Sequence, residues 1–417
     1  MRKILVFVEY VTAANFFARI ALADCGSSYT FVSESLVINR RLKRLGLECI
    51  SPSSKSEYDP TYDYERQKFH SDLRETKPYL IGGFTEDEVW KASCRWVSSA
   101  ASSMELSDID YVFVWNGHSV SGIATKLTVA LFPEAKSAYF ELANLPGKIF
   151  MDPAGVNAKS WLYRNPDYLL EEPMPTDAEW QVWRDTYLTV KKQSQYAPPQ
   201  VSSSMSVADR VLEYVWARFF GGLYLTRKDE GVAVIRSLLS LGRKSAFDTE
   251  VFSFDAQKPF VFFPMQVDHD SQLLINSSLG NRAALEAILE CDKRDVVVKP
   301  HPASEAESWL WLVDLAREER SRVHIATGNT LSLIESAAKV YAINSTVGME
   351  ALILEREVTF LGNSLFEQLS PERLRCFILR HLIDLDFFSS EPVSERVLER
   401  VFRQLSVPIE QKRYEEV

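Results

Sequence analysis

Short apolar runs alternate along this chain with longer stretches whose apolar residues recur every three or four positions. Ile4–Val8 is a β-rich run, and Ala13–Asp24 (AANFFARIALAD) places its apolar side chains at helical spacing until Gly26 stops it. Tyr29–Val32 predicts a second strand, and Val37–Leu45 a basic helix closed by Gly46. The Ser-, Pro- and Tyr-rich stretch 51–63 predicts a loop. Tyr111–Trp115 predicts a third strand ending in Asn116-Gly117-His118, followed by a helix around Gly122–Leu131 and a strand around Ser137–Phe140. This is the rhythm of an α/β unit.

The rhythm then breaks. Residues 169–206 are rich in Glu, Pro, Tyr, Gln and Ser, which predicts an insertion or long connection. Helical patterns follow at Ala208–Phe220 and Val232–Leu241. Phe260–Pro264 starts a second series: helix Asn281–Cys291, strand Val296–Lys299, helix Glu305–Arg317, strand Val323–Ile325, helix Thr330–Ala338, strand Val340–Ile343, helix Val347–Leu354 and strand Val358–Leu361. Strands alternating with amphipathic helices predict parallel, doubly wound sheets. Because the series starts twice, the expected architecture is α/β with two Rossmann-like domains facing across a cleft. The boundaries read as 1–245 for an N-terminal domain carrying the insertion and 246–417 for a C-terminal domain with terminal helices.

Composition narrows the function classes. Lys plus Arg number 47 against 57 Asp plus Glu, a net charge of −10. That balance argues against a broad nucleic-acid-binding surface. The five cysteines, at 25, 49, 94, 291 and 376, never come within CxxC spacing, so reduced thiols and no zinc site are expected. The opening apolar run is interrupted at Glu9, too short for a secretory segment, and no later run approaches the ~20 residues of a membrane span. A cytoplasmic or membrane-surface location is expected.

The densest reactive cluster falls where second-series strands end, the place where open α/β sheets hold ligands. Residues 263–272 (FPMQVDHDSQ) bring Gln266, Asp268, His269 and Asp270 together directly after an apolar strand. Lys299-Pro300-His301-Pro302 puts a histidine in a proline-stiffened loop, where an imidazole can hydrogen-bond a phosphate; an exposed turn would read the same. Asn344-Ser345-Thr346-Val347-Gly348-Met349-Glu350 opens a helix whose free N–H groups and dipole favour an anion. An ordinary capping box, with Glu350 near the first turn, fits those residues equally. Thr327-Gly328-Asn329-Thr330 repeats the arrangement one unit earlier. In the first series, Glu141 follows a strand, Asn116-Gly117-His118-Ser119 and Met151–Asn157 are polar turns, and Gly117 permits either a close ligand or simply a turn. His118, His269 and His301 lack the paired spacing of metal ligands, so no metal site is expected.

Four blocks in this order, FELANLPGKIFMDPAGVN (140–157), FFPMQVDHDSQ (262–272), VVKPHP (297–302) and AINSTVGMEALILEREVTFLG (342–362), resemble bacterial capsular polysaccharide biosynthesis and export proteins that act as retaining β-Kdo glycosyltransferases. The pairing of an HP dipeptide with a later Ser/Thr cap is also similar to CMP-sugar-using polysialyltransferases and CDP-glycerol polymerases. The resemblance implies a GT-B-like fold, a CMP-Kdo donor held mainly by the C-terminal domain, and a glycan or lipid acceptor on the N-terminal side, with no other cofactor. It places the family's QxxxD pattern on Gln266 and Asp270, with Asp270 the nucleophile and Asp268 the fallback. His301 is implied at the donor phosphate with Ser345 and Thr346, Glu350 at the loop or a ribose hydroxyl, and Lys299, Asn329 and Asn344 around the nucleotide. Glu141 is the candidate base for the acceptor hydroxyl.

His269 departs from the family pattern, as does the segment after Leu361, and only one such module fits in 417 residues, so a single-step transferase is expected. If the acceptor is a lipid, the enzyme meets the inner face of the inner membrane. Val211–Leu225 and the basic residues Arg40, Arg41, Lys43 and Arg44 are candidate contacts, as well as candidates for ordinary packing or solvated helices. Capsule assembly or export proteins are the implied partners. Two other readings share these residues: a CDP-glycerol-type phosphotransferase, and a non-catalytic subunit of a glycan export assembly.

Overall fold

A computed structural model describes residues 1–52, 57–193, 209, 212, 213, 215, 216, 258–304, 306–318 and 322–406. They divide into two compact units. The strands of the first are β1 (Arg2–Phe7), β2 (Ser27–Val32), β3 (Glu48–Ile50), β4 (Tyr111–Trp115), β5 (Lys136–Leu142) and β6 (Lys148–Asp152). The second holds β7 (Phe260–Pro264), β8 (Asp295–Lys299), β9 (Val323–Ile325), β10 (Lys339–Ala342) and β11 (Val358–Phe360). A last strand, β12 (Ile383–Asp384), returns to the first.

The first sheet runs β12-β6-β5-β4-β1-β2-β3. β1 to β5 are mutually parallel, β6 lies antiparallel to β5, and β12 antiparallel to β6. Because side chains alternate faces along a strand, Ile4 and Val6 enter one core while Leu5 and Phe7 enter the other. The first core includes Phe16 and Phe17 of the helix Val11–Ala23, together with Val401 and Phe402 of the helix Glu395–Leu405. The second includes Trp90 of the helix Glu86–Ala101, which begins in a capping box formed by Thr85 and Glu88, and Ile123 of the helix Val120–Leu131.

The second sheet runs β11-β10-β7-β8-β9, all parallel. In both sheets the strand order reverses beside the first strand, between β1 and β4 and between β7 and β10. These are the topological switch points at which doubly wound sheets form a crevice outside the strand ends. The chain therefore carries two Rossmann-like α/β units, as the doubled rhythm predicted.

The division of the chain differs from the expected 1–245 and 246–417. Residues 382–406 belong with the first unit, because β12 pairs with β6 and the amphipathic helix Glu395–Leu405 buries Leu398, Val401, Phe402 and Leu405 on the first sheet. Residues 162–193 belong with the second. Within the stretch expected as an insertion or long connection, the helix Asp177–Gln193 is tied to the basic segment 373–380: Arg380 bonds both oxygens of Glu179 at 2.8 Å, and Arg375 donates to Asp177 at 2.6 Å. Met151 and Asp152, expected to open a polar turn, are instead the last two residues of the fully buried strand β6. The patterns at 208–220 and 232–241 and the candidate membrane element 211–225 lie outside the described residues, apart from 209, 212, 213, 215 and 216. Glu213 accepts from Ser35 Oγ at 2.6 Å and Val37 N at 2.7 Å, at the start of the helix Leu36–Arg44. Among the described residues no helix is long and apolar enough to cross a membrane.

Candidate functional site

At the second unit's switch point the loops after β7 and β10 are bolted together. Gln266 Nε2 donates to Asn344 Oδ1 at 2.9 Å, and the Asn344 backbone N–H donates to Gln266 Oε1 at 3.2 Å. Asn344 Nδ2 in turn donates to the carbonyl of Gln272 at 2.8 Å. Both amides are buried, and their mutual bonds tie the two loops together. A residue the sequence reading missed, Asn281, supports the same loop. Its Oδ1 accepts from Gln266 N at 3.0 Å, and its Nδ2 donates to Asp268 Oδ1 at 2.6 Å. The signal was present, since Asn281 is the first residue of the helix Asn281–Cys291.

Asp270 caps the short helix Ser271–Asn276, accepting from Gln272 N at 3.0 Å through Oδ1. Asp268 and Asp270 are half-buried, whereas His269 between them is exposed. His301 accepts a bond from Ala303 N on Nδ1 at 3.1 Å, which puts the ring proton on Nε2 as a donor. Burial lowers the His301 pKa and Lys299 adds to that, while the nearby charge of Asp270 opposes it. The ring is thus a neutral hydrogen-bond donor beside a carboxylate near pH 7. Lys299 donates to Thr330 Oγ1 at 2.7 Å and to the Gly328 carbonyl, and burial lowers its pKa. Asn329 caps the helix Thr330–Ser336 through Oδ1, accepting from Leu331 N at 2.8 Å. Lys299 and Asn329 therefore brace the neighbouring loop.

The helix Thr346–Ile353 starts at Ser345, which does not use its side chain as a cap. Ser345 Oγ is buried with no hydrogen-bond partner. The capping-box reading is excluded by this and by Glu350, which points elsewhere. Glu350 Oε1 accepts from Lys191 Nζ at 2.7 Å and from Tyr187 OH at 3.2 Å. Gly348 is required by packing: a Cβ there would lie 2.3 Å from Phe360 Cε1 and 3.3 Å from Ala342 Cβ. The helix can approach β10 and β11 only without that atom.

The first unit has its own polar strand ends. Glu141 lies within β5 rather than after it, and its Oε1 accepts from Asn116 Nδ2 at 2.9 Å. Asn116 and Gly117 both have positive φ, 66° and 87°. A Cβ on Gly117 would fall 2.6 Å from Tyr139 Cδ1, so its small size serves the turn and the close ring. Glu9, two residues after β1, ends the first apolar run. Its Oε1 accepts from Ser121 N at 2.9 Å at the start of the helix Val120–Leu131, and burial raises its pKa. A carboxylate between the first strand of a βα unit and the helix that follows it was the available signal.

The chain is similar to two structures of KpsC from Thermosulfurimonas dismutans. The beta Kdo 2,7 transferase is 15% identical, with a TM-score of 0.36 over 74% of this chain and 89% of that one. The beta Kdo 2,4 transferase is also 15% identical, with a TM-score of 0.38 over 72% and 88%. It is similar as well to the UDP-GlcNAc 2-epimerase of Methanocaldococcus jannaschii, 12% identical with a TM-score of 0.29 over 97% and 99% of the two chains. Protein FixF of Sinorhizobium fredii (strain NBRC 101917 / NGR234) is 34% identical over 119 residues, which cover 27% of this chain and 28% of FixF. The chain thus spans less than a third of that relative's length. The family model described as capsule polysaccharide biosynthesis protein matches residues 121–369, more than half of the chain and all four blocks of the candidate sites, and the chain belongs to that family.

Proposed function

We propose that this protein is a glycosyltransferase that moves Kdo from CMP-Kdo to a glycan or lipid acceptor with retention of configuration, in the making of a capsular or related surface glycan. The observation that carries the reading is the unpartnered, buried Ser345 Oγ at a helix N-terminus, on the loop bolted to the one bearing Asp270. An N-terminal serine left without a cap bond, with first-turn N–H groups beside it, is a receptor for a phosphate oxygen. His301 Nε2–H supplies a further neutral donor whose proton is retained near pH 7.

In the first step an Asp270 carboxylate oxygen attacks the anomeric carbon of Kdo. The bond from that carbon to the phosphate oxygen breaks, and CMP leaves with the electron pair. The charge gained by the phosphate is met by His301 Nε2–H, Ser345 Oγ and the N-terminus at Thr346. In the second step an acceptor hydroxyl attacks the same carbon, the ester to Asp270 breaks, and the hydroxyl proton passes to a base, for which Glu141 is our candidate. Two inversions at one carbon give net retention. Asp268, held by Asn281, sets the loop's shape, and Gln266 and Asn344 keep Asp270 and Ser345 in register.

The test is intact-protein mass spectrometry after incubation with CMP-Kdo generated in situ, on wild type, Asp270→Asn and Asp268→Asn. One added Kdo mass, mapped to Asp270, absent from Asp270→Asn and retained in Asp268→Asn, is the expected result. An adduct on Asp268 moves the nucleophile. Absence of both adduct and CMP release, with and without acceptors, overturns Kdo transfer and makes CDP-glycerol the next donor to test.

A further inference from the structure

A small cavity in the first unit is bounded by the loop after β4, the helix Val120–Leu131, the helix His70–Arg74 and the turn after β6. Two of its lining residues carry buried polar atoms without a hydrogen-bond partner, Asn116 Oδ1 and His118 Nε2. His118 is 9% exposed. The Asn116 amide orientation follows from its neighbour: Nδ2 donates to the Glu141 carboxylate, which can only accept, so Oδ1 is the group left over. Two orphaned polar atoms on one loop, on residues two apart that both line one cavity, are costly unless something answers them.

The charges around the cavity indicate what that is. Lys126 is paired with Asp72, and Lys159 with Glu75 at 2.7 Å, so the lining cations are already matched. Burial and the surrounding lysines hold His118 neutral, with a pKa lowered to about 3. An anion would therefore have to displace an internal carboxylate. A neutral hydroxyl meets no such opposition. It can donate to Asn116 Oδ1, and it can either donate to or accept from His118 Nε2, whichever tautomer is present.

We propose that this cavity is a subsite for a neutral, hydroxyl-bearing sugar end of the acceptor, held by Asn116 Oδ1 and His118 Nε2. The proposal rests on the glycosyltransferase reading above, and it gives Asn116 two duties. One side of its amide holds Glu141, the candidate base, and the other receives the acceptor hydroxyl. Asn116 and His118 then select a sugar hydroxyl over a phosphate group.

The test uses the full chain labelled with 15N-histidine; its six histidines keep the spectrum simple. Imidazole nitrogens are recorded at pH 7 during titration with methyl β-D-galactopyranoside, glycerol and sodium phosphate, and His118 is assigned by its loss in His118→Leu. The expected result is a saturable Nε2 shift with the two hydroxylated probes, none with phosphate, and loss of the shift in Asn116→Gly, which keeps the positive φ. In acceptor kinetics Asn116→Gly and His118→Leu are expected to raise KM about tenfold or more, the size of one to two lost hydrogen bonds. A shift with phosphate alone overturns the proposal. So does silence with both hydroxylated probes, the sign that only a resident water fills the cavity. If Asn116→Gly unfolds the wild-type titration still decides, and His118→Gln supplies the assignment if His118→Leu unfolds. Absence of both adduct and CMP release overturns the transfer reading, while the titration still decides the subsite.

Discussion

Glu350 is the residue whose assignment changed most between sequence and structure, and the Lys191→Met substitution tests the new one. The Lys191 ammonium and Glu350 carboxylate are 12% and 8% exposed, 2.7 Å apart, with the Tyr187 hydroxyl on the same oxygen. Removing the cation leaves a buried carboxylate supported by one neutral donor, and breaking such a pair costs about 3–5 kcal/mol. Tyr187 places the expectation at the low end, about 3 kcal/mol, which is roughly a 150-fold increase in the local opening equilibrium. Hydrogen exchange by mass spectrometry on the full chain reads this directly. Peptides covering 177–193 and 346–353 are expected to exchange roughly two orders of magnitude faster, with those of β1 and β4 unchanged. Adding Glu350→Gln removes the stranded charge and is expected to recover most of the protection. Protection within about threefold of wild type in Lys191→Met, or a double variant no better than the single one, would refute the claim that Glu350 is a structural anchor and return it to the nucleotide site.

Two further outcomes follow from individual side chains. His118 takes no proton in the folded state until about pH 3, whereas it does so near 6.5 unfolded, so its contribution is present above 6.5 and is lost as pH falls. Between pH 7 and 5 urea unfolding of wild type is expected to lose about 2 kcal/mol more than His118→Leu; equal losses would show that the ring is solvated. Gly348→Ala drives a methyl against Phe360 and Ala342, an overpacking cost of about 1–3 kcal/mol, and a melting temperature at or above wild type would show that the helix Thr346–Ile353 has room to spare.

Much of this protein was legible in its residues because hydrophobic periodicity is a local property. Phe260–Pro264, Tyr111–Trp115, Val323–Ile325 and Asn281–Cys291 occupy the predicted spans, since each is long enough for its own pattern to dictate strand or helix. The candidate chemistry was legible for the same reason. Reactive side chains directly after parallel strands fall at the sheet's carboxyl edge whatever the rest of the chain does. Local pattern carries no information about partners, however. That residues 382–406 complete the first sheet, and that 162–193 are fastened to the second unit by Arg375, Arg380 and Glu350, depends on pairings more than 150 residues apart in sequence. The split between binding and bracing among the polar loop residues depends equally on tertiary contact. Gln266, Asn344, Lys299, Asn329 and Glu350 have their hydrogen bonds answered from within the protein, whereas Ser345 Oγ, Asn116 Oδ1 and His118 Nε2 do not. Sequence named which residues were able to meet a ligand, and only the folded chain decided which of their polar groups are answered from within the protein and which are left buried without a partner.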